Sequence, residues 1–555
     1  MNGLILVGAA IILLILAYLI YGRWLAKTWG IDPNAKTPAY KFEDGIDFSP
    51  SSRLSVFSHQ FNSIAAVGPI TGPIIAAMFG WLPAFIWLIV GGIFFGAVQD
   101  FTSLYASVKN DGKSMGLIIE KYIGKTGKTL FLIFCWLFTL LVIAAFADIL
   151  ASTFSMVNAD GSENPNGTVA ASITMLYAAV AVLFGIFLRV VKPGEKVKFI
   201  IAIILVPVMV YAGFKFPLSY NREIWRYVIF GYCFVASVMP IWLLKGPRDY
   251  FSVFLFIIMI AGGALGIIIA NPEIQMPAVV SFNVNNQPMF PILFVTIACG
   301  AISGFHSLVS SGMSSKLVSN ERDILPVGYG AMLTEVLLAV IALVVACAGA
   351  SNGVLPKGNP FKIFGESVAK FFGVFGVPVE ISACIMVMCV ADLAMTTIDS
   401  VTRIGRMSLQ ELLTPADKSK QGIISKIITN DFVATILTLG LAYCLCLAGY
   451  SSIWPLFGSA NQLLAALVLT ALAVFLKATN RKNWMLYVPM IFMFIVTMTA
   501  LALKVIAIYG NYTAGKFVPM VDGLQLVMAV ALMLLAVLVV FKSWGELLKA
   551  KPAKN

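Results

Sequence analysis

The chain has 555 residues, of which 60% are apolar and only 12% are charged, and its formal net charge is +12. A soluble protein carries about 25% charged residues, so this composition excludes a soluble globular domain and indicates a chain embedded largely in lipid. Runs of about 20 apolar residues recur along the sequence, and each is long enough to cross a bilayer as a helix. The sequence therefore predicts an all-α, polytopic membrane protein.

The apolar runs predict about 15 transmembrane helices. The first run, residues 4–21, lacks a charged segment before it and a small-residue cleavage site, so we interpret it as a retained span rather than a signal peptide. The predicted spans are residues 3–22, 53–78, 80–107, 128–155, 167–188, 197–214, 224–243, 249–270, 290–313, 325–349, 376–400, 429–449, 453–475, 483–508 and 522–542.

Basic residues are concentrated in alternate loops of this arrangement. If the N-terminus is outside, the predicted cytoplasmic loops and the tail hold most of the 38 Lys and Arg residues, whereas the loops around Asp160 and Glu273 hold none. This asymmetry predicts an outside N-terminus and a cytoplasmic C-terminus. The basic excess then faces the cytoplasm and anionic lipid, so we expect no nucleic-acid partner.

Two short motifs occur twice in the same order. Residues 68–72 (GPITG) and 300–304 (GAISG) share a pattern, and residues 147–153 (ADILAST) resemble residues 391–397 (ADLAMTT). The glycine motifs lie in the second and ninth predicted spans, and spans separated by an odd number run in opposite directions. An inverted repeat of this kind is typical of secondary transporters.

We therefore predict a five-plus-five inverted repeat with three flanking segments. The repeats are residues 53–214 and 290–475. Residues 1–52 form a first span and a basic cytoplasmic loop, residues 215–289 form two linking spans, and residues 476–555 form two accessory spans and a basic tail.

Each glycine motif is predicted to break its helix within the membrane. Pro69 and Pro73 lack N–H donors, and glycine disfavours helix. A broken backbone presents N–H and C=O groups to a ligand, and the half-helix that begins near Thr71 attracts a carboxylate. The alternative is a proline-kinked packing helix with close glycine contacts. The substrate-binding residues predicted from the breaks are Gly68, Pro69, Thr71, Gly72, Gly300, Ser303 and Gly304.

Polar side chains inside apolar spans are the other candidates for function. Asp148, Asp392 and Glu335 lie well inside their spans, and the repeat places Asp148 and Asp392 beside the broken helices. The two histidines, His59 and His306, carry the side chain that titrates near neutral pH. We predict proton coupling by His59, His306, Asp148 and Asp392. For His59, a core histidine bonded to a backbone carbonyl is the alternative interpretation.

Four further polar residues have ambiguous roles in the sequence. Asp100 and Asp399 lie nearer the ends of their spans, and we expect them to pair with Arg53, Arg403 or Arg406. Asn461 and Gln462 lie in an apolar helix and must find hydrogen-bond partners. Asn461 is a predicted substrate-binding residue, although structural crosslinking is an equal alternative.

Motifs for enzymatic chemistry or a resident metal are missing from the sequence. The eight cysteines all lie in apolar stretches, and no Cys/His cluster, HExxH, P-loop or nucleophile elbow occurs. We therefore expect no enzymatic activity and no cofactor other than a coupling ion, H⁺ or Na⁺.

Five stretches of the sequence resemble the carbon-starvation protein A family. They are residues 58–73 (SHQFNSIAAVGPITGP), 96–101 (GAVQDF), 239–250 (MPIWLLKGPRDY), 396–403 (TTIDSVTR) and 454–465 (WPLFGSANQLLA). The resemblance implies an uptake system of the bacterial cytoplasmic (inner) membrane, made during nutrient limitation and linked to peptides in some members and to pyruvate in others. It also implies similarity to the amino-acid/polyamine/organocation superfamily, whose five-plus-five inverted repeat agrees with the repeat predicted above.

The resemblance also implies an ion site. In transporters of that superfamily, a hydroxyl pair and carbonyl groups of a broken helix hold sodium. Thr396, Thr397 and the carbonyl groups of Ala66 and Val67 are therefore the candidate sodium ligands, unless a proton on a nearby acid replaces the ion. The alternative is that both hydroxyls bond back to the preceding helical turn.

Together these observations predict a secondary transporter that imports a peptide or a pyruvate-like carboxylate with H⁺ or Na⁺. A passive channel or facilitator, or a nutrient sensor, is the alternative. The expected partners are the small-molecule substrate and the lipid bilayer, and the sequence leaves the oligomeric state open.

Overall fold

A computed structural model of the chain describes residues 2–44, 48–158, 160–240, 243–356, 358–373, 376–414 and 422–549. These residues are mostly helical, with almost no sheet. The described chain divides into two compact units. The first unit is Met1–Ile5, Thr139–Pro277 and Val344–Ile453, and the second unit is Leu6–Phe138, Ala278–Leu343 and Trp454–Asn555.

Long apolar helices account for most of the described chain, as the composition predicts. Eleven helices are long and apolar enough to cross a membrane, and the bent pair Arg53–Ile64 and Gly68–Phe79 makes up to twelve. The eleven are Gly3–Trp29, Trp81–Lys109, Lys125–Phe154, Pro165–Val191, Lys196–Lys215, Met289–Lys316, Glu321–Ala348, Val379–Leu413, Tyr450–Ala478, Trp484–Thr513 and Pro519–Leu548. The remaining elements are Pro38–Lys41, Met115–Ile123, Arg222–Val238, Lys245–Ala270, Pro360–Gly373, Ile423–Ile428, Asp431–Cys446 and a hairpin of the strands Asn283–Val284 and Gln287–Pro288.

The predicted fold class is confirmed, but the predicted count of about fifteen crossings is not. Each of the three unconfirmed spans contains a helix. Arg222–Val238 and Asp431–Cys446 have only 17 and 16 residues. The span predicted at 249–270 stays a prediction: it lies in helix Lys245–Ala270, whose side chains at 253, 256 and 258 are outside the described residues, and Met259–Ala270 is the apolar segment described there.

Both predicted helix breaks occur, and both lie in the second unit. Helix Arg53–Ile64 ends before residues 65–67, and the chain resumes as Gly68–Ala76 with a bend of 46°. Pro69 occupies the first turn of the second half, where a missing N–H is tolerated. Helix Met289–Ile297 likewise gives way to a short turn, and helix Gly304–Gly312 follows.

Glycines let the two broken helices pack directly on each other. A Cβ atom on Gly68 would lie 2.6 Å from Sγ of Cys299 and closer still to its Cβ. A Cβ atom on Gly72 would lie 2.7 Å from the carbonyl oxygen of Thr296. Only glycine permits this approach of one backbone to the other.

Each unit contains equivalent segments of the two predicted repeats. The two glycine motifs belong to the second unit, and the aspartates of the two later motifs, Asp148 and Asp392, belong to the first unit. This distribution is what two structurally equivalent repeats would produce. The repeat boundaries at 53–214 and 290–475 and the flanking segments stay predictions.

Replacing Gly68 by alanine should destabilise the protein by about 1–3 kcal/mol, because the added methyl group overpacks the contact with Cys299. The measurement is the unfolding temperature of the purified protein in detergent. Cys299→Gly removes the side chain that the methyl group would meet, so the double variant should recover stability.

Gly231→Ala is the matched control, because a Cβ atom at that helical position meets no atom within 4 Å. It should be neutral or slightly stabilising. A Gly68→Ala variant as stable as the wild type would contradict the close packing of the broken helices.

Candidate functional site

A histidine between two carboxylates lies beside the second helix break. His306 is in the first turn of helix Gly304–Gly312. Its Nδ1 atom lies 3.0 Å from Oδ2 of Asp100, and its Nε2 atom lies 3.4 Å from Oε2 of Glu335. All three side chains are fully buried. We call these three residues the His306 triad.

The His306 triad has unsatisfied polar atoms. Oδ1 of Asp100, both carboxylate oxygens of Glu335 and Nε2 of His306 have no hydrogen-bond partner among the described residues. The 3.4 Å approach of Glu335 to His306 is therefore an ion contact without hydrogen-bond geometry. Buried charges of one sign in excess are very unfavourable, so two carboxylates around one imidazole favour the uptake of protons. The triad is chemically suited to hold and release a proton.

Side chains from neighbouring helices satisfy the backbone at the second break. Gln99 donates its amide to the carbonyl oxygen of Ser303 at 2.6 Å. Asn461 accepts a hydrogen bond from the backbone N–H of Phe305 at 3.2 Å, and its amide lies 3.1 Å from the Ser303 hydroxyl. Asn461 and Ser303, both predicted to bind substrate, are thus engaged with each other.

At the first break, one polar side chain of the predicted carboxylate site has no hydrogen-bond partner. The Thr71 hydroxyl is buried and has no hydrogen-bond partner in the described part of the chain. Gly68 and Gly72 contact the other broken helix, and Gly300 packs near Pro69 and Ala339. Thr71 is therefore the predicted binding residue whose buried hydroxyl has no partner among the described residues.

A glutamine connects the two broken helices. The Gln60 amide donates to the Ser310 hydroxyl at 2.8 Å, and the Ser314 hydroxyl donates to the Gln60 carbonyl oxygen at 2.6 Å. Gln60 is fully buried, whereas its neighbour His59 is partly buried on helix Arg53–Ile64 and is not a member of the His306 triad. The structure thus places one of the two predicted histidines in a titratable cluster.

In the first unit, Asp148 is surrounded by donors. Arg222 Nη2 lies 2.5 Å from its Oδ2 atom, and Arg226 Nη2 lies 2.7 Å from its Oδ1 atom. The backbone N–H of Tyr450, at the start of a helix, donates to it at 2.6 Å. The Nε atoms of both arginines donate as well, giving five hydrogen bonds. A carboxylate offers about four lone-pair directions, so this arrangement favours a structural role for Asp148.

Asp392, at the matching position of the second repeat, is also paired with an arginine. Arg248 is 1% exposed, and its Nε atom lies 3.3 Å from Oδ1 of Asp392. Its Nη1 atom lies 2.6 Å from Oδ2 of Asp399. Tyr232 contacts both Arg248 and Asp399, and the Ser252 hydroxyl donates to Asp392. We call Arg248, Asp392 and Asp399 the Arg248 cluster.

The expected pairing of Asp100 and Asp399 with three arginines is wrong. Asp100 contacts His306, and Asp399 contacts Arg248. Arg53 pairs instead with Asp323 at 2.5 Å. Arg403 and Arg406 donate to carbonyl oxygens of Met239 and Ser237, at 2.5 Å and 2.9 Å, at the C-terminus of helix Arg222–Val238. Cations at this position complement the helix dipole.

The candidate sodium ligands are divided between the two units. Thr396 accepts a hydrogen bond from Arg248 at 2.9 Å, and Thr397 donates back to the Leu393 carbonyl oxygen at 2.9 Å. In the second unit, the Val67 carbonyl oxygen accepts from two N–H groups of the following turn, and Ala66 lies beside it in the break. Among the described residues, no group of three or more His, Cys, Asp or Glu side chains is arranged to hold a metal ion.

Four members of the His306 triad and the Arg248 cluster were not assigned as site residues from the sequence: Asp100, Glu335, Arg248 and Asp399. The sequence contains a signal for each. Glu335 is the one charged residue in its apolar span, and Asp100, Arg248 and Asp399 lie in three of the stretches that resemble the family. The motif that contains Arg248 also includes Ile241 and Trp242, which lie outside the described residues.

These features define a class: a multi-pass helical membrane protein with the fold of secondary transporters. Two crystal structures of variants of the manganese transporter of Eremococcus coleocola are similar to this chain. One has a TM-score of 0.50 and 13% identity and covers 89% of this chain and 95% of that chain. The other has a TM-score of 0.51 and 12% identity and covers 94% and 99%. At this identity, the similarity establishes the fold alone.

The chain belongs to the carbon starvation protein CstA family, whose profile matches residues 2–353 and 349–500. It is 32% identical to the peptide transporter CstA of Escherichia coli K12, over 90% of this chain and 80% of that protein. It is 31% identical to the pyruvate/proton symporter BtsT of the same strain, over 91% and 82%. The peptide transporter CstA of Bacillus subtilis is 29% identical, over 99% and 98%.

Replacing Asp148 by asparagine should destabilise the protein by about 3 kcal/mol, because it leaves Arg222 without a counter-charge and Arg226 with only the exposed Glu223. The unfolding temperature in detergent measures this loss. The dependence of uptake on pH, measured for equal amounts of folded protein, should be unchanged, since the Asp148 oxygens are already occupied by five hydrogen bonds.

Asp160→Asn, a substitution in an exposed loop, is the control and should change stability by less than about 0.5 kcal/mol. An Asp148→Asn protein that is fully stable but has lost its pH dependence would give Asp148 the coupling role predicted from the sequence.

Proposed function

We propose that this protein is a proton-coupled secondary transporter that imports a short peptide or a pyruvate-like carboxylate across the bacterial cytoplasmic membrane. The observation that carries the proposal is the fully buried His306 triad, placed two residues beyond a helix break. The names of the relatives support both substrate classes, since one is a peptide transporter and the other a pyruvate/proton symporter.

Proton coupling follows from the charges of the triad. With both carboxylates ionised, Asp100 and Glu335 carry two negative charges against at most one positive charge on His306. In this fully buried site, each proton that binds reduces this imbalance. A proton taken up from the outside can therefore be held at the triad beside the broken helix. Release of the proton on the inside restores the negative charge of the triad, which can then bind another proton.

The two substrate classes share one chemical group. Pyruvate and the C-terminus of a peptide each present a carboxylate. The half-helix that starts at Gly68 presents the Gly68 N–H group and a partial positive charge to such a group, and the Thr71 hydroxyl adds a donor. We expect the carboxylate to bind there, whichever molecule carries it.

Proton-driven uptake should depend on His306 and Glu335. In proteoliposomes, counterflow of labelled pyruvate and of a labelled dipeptide identifies the substrate, and an imposed pH gradient, acidic outside, should drive accumulation above equilibrium. Raising the external pH should reduce the rate. His306→Asn and Glu335→Gln should each reduce gradient-driven uptake more than about tenfold, roughly 1.4 kcal/mol, while exchange without a gradient survives.

The matched control is His59→Asn, which changes the other histidine and should keep the response to pH. Uptake that survives His306→Asn with its pH dependence intact would remove the triad from the mechanism. Transport without uphill accumulation would instead identify a facilitator.

The loop charges support an outside N-terminus and a cytoplasmic C-terminus. A cysteine at Asp160 should react with a membrane-impermeant maleimide in intact cells, and a cysteine at Lys113 should react only after permeabilisation. Both positions are exposed. Seven of the eight native cysteines are buried, so a Cys444→Ser background gives little native signal. The opposite labelling pattern would reverse the topology.

A further inference from the structure

Three oxygens of different kinds converge on one nitrogen of Arg248. Its Nη2 atom lies 2.9 Å from the Thr396 hydroxyl, 3.1 Å from the Asp392 carbonyl oxygen and 3.4 Å from Oδ1 of Asp392. A carboxylate, a carbonyl and a hydroxyl are the hard oxygen ligands that alkali and alkaline-earth cations prefer. Here a guanidinium group occupies the point where these oxygens meet.

The guanidinium group is also held from its other side. Nη1 of Arg248 contacts Asp399 at 2.6 Å and the Tyr232 hydroxyl. Asp392 and Asp399 are seven residues apart on helix Val379–Leu413, so they lie two turns apart on one face and the guanidinium bridges them. Because Arg248 is 1% exposed and most of its donors are engaged, it cannot exchange with the solution as a free ion does.

The charges around the Arg248 cluster are balanced without another cation. Lys245 reaches the Ser400 hydroxyl at 2.8 Å, next to Asp399, and Asp249 follows Arg248 in the chain. These two charges cancel, and Arg403, whose charge also acts on Asp399, offsets the one carboxylate in excess in the Arg248 cluster. A sodium ion at Thr396 would lie about 4 Å from the guanidinium. At an effective dielectric constant of about 20, repulsion at that distance lowers affinity roughly a thousandfold.

We propose that Arg248 is a tethered cation that fills the cation site formed by Asp392 and Thr396, and that it makes this transporter independent of sodium. The inference rests on the proposed function, in that it takes the protein to be an ion-coupled transporter. Arg248 then sets the choice of coupling ion: it excludes sodium from the first unit and leaves the proton as the ion that drives uptake. In this role it is a specificity-determining residue.

The test compares unfolding temperatures in sodium chloride and in choline chloride of equal ionic strength, with the full-length protein purified in detergent. The wild type should unfold at the same temperature in both salts. In Arg248→Gln, the carboxylates of Asp392 and Asp399 lose their shared cation. Sodium should then bind at Asp392 and Thr396 and raise the unfolding temperature by about 5 °C relative to choline. In Arg248→Lys, a tethered cation remains, so no sodium response is expected.

Arg226→Gln is the matched control. It also removes a buried arginine from a carboxylate, but Asp148 keeps Arg222 and the Tyr450 N–H group. It should lose stability equally in both salts. A folded Arg248→Gln protein with no sodium response, or a wild type that sodium stabilises, would overturn the inference.

If the variant does not fold, a measurement on the wild type tests the inference instead. If Arg248→Gln yields no folded protein in either salt, uptake by the wild type is measured at fixed pH with an imposed sodium gradient. Uptake that the sodium gradient stimulates overturns the inference, and uptake that the gradient leaves unchanged supports it. If neither a pH gradient nor a sodium gradient drives uptake, the proposed function fails. The sodium response of the unfolding temperature still decides the role of Arg248.

Discussion

Lipid offers no hydrogen bond to a freed backbone group and no hydration to a charged side chain. The rest of this structure depends on that constraint. Where the two membrane helices break, the protein itself supplies the missing partners: Gln99 and Asn461 at the second break, and close helix contact at Gly68 and Gly72 at the first. The breaks are tolerated because their surroundings are polar or tightly packed, and these surroundings position the candidate site.

The same constraint explains where the buried charges lie. Asp148 and Asp392 occupy matching positions in the two predicted repeats, and each meets arginine from the linking segment 215–289: Arg222 and Arg226 in one case, Arg248 in the other. Besides joining the two predicted repeats, the linking segment supplies the arginines that pair with the buried aspartate of each repeat. The His306 triad differs, since its two carboxylates face no arginine or lysine in the described ion pairs. That difference separates the His306 triad from the two clusters in which arginine pairs with the carboxylates.

Local features of this chain were readable from the sequence, whereas its long-range pairs were not. Composition and the lengths of the apolar runs predict the fold class, and the two glycine motifs predict both breaks. The crossing count is not confirmed at helices such as Arg222–Val238, which has 17 residues and begins with charged ones. His306 stands out as one of two histidines, but its partner Asp100 is 206 residues away in the chain. Arg248 is 144 residues from Asp392. Without knowledge of packing, the nearer arginines 403 and 406 were the plausible partners of Asp399, and they cap a helix instead.

The order of the charges along the chain has a consequence for biosynthesis. Asp392 is made after Arg248, so it enters a membrane in which its partner is already present. Asp148 is made 74 residues before Arg222. At a synthesis rate of about 5–20 residues per second, this carboxylate waits roughly 4–15 seconds in the membrane for its arginine. During that interval Asp148 has no arginine partner. We therefore expect the first repeat to be bound by factors that stabilise nascent membrane helices. The early half of the protein is therefore incomplete until the linking segment has been translated.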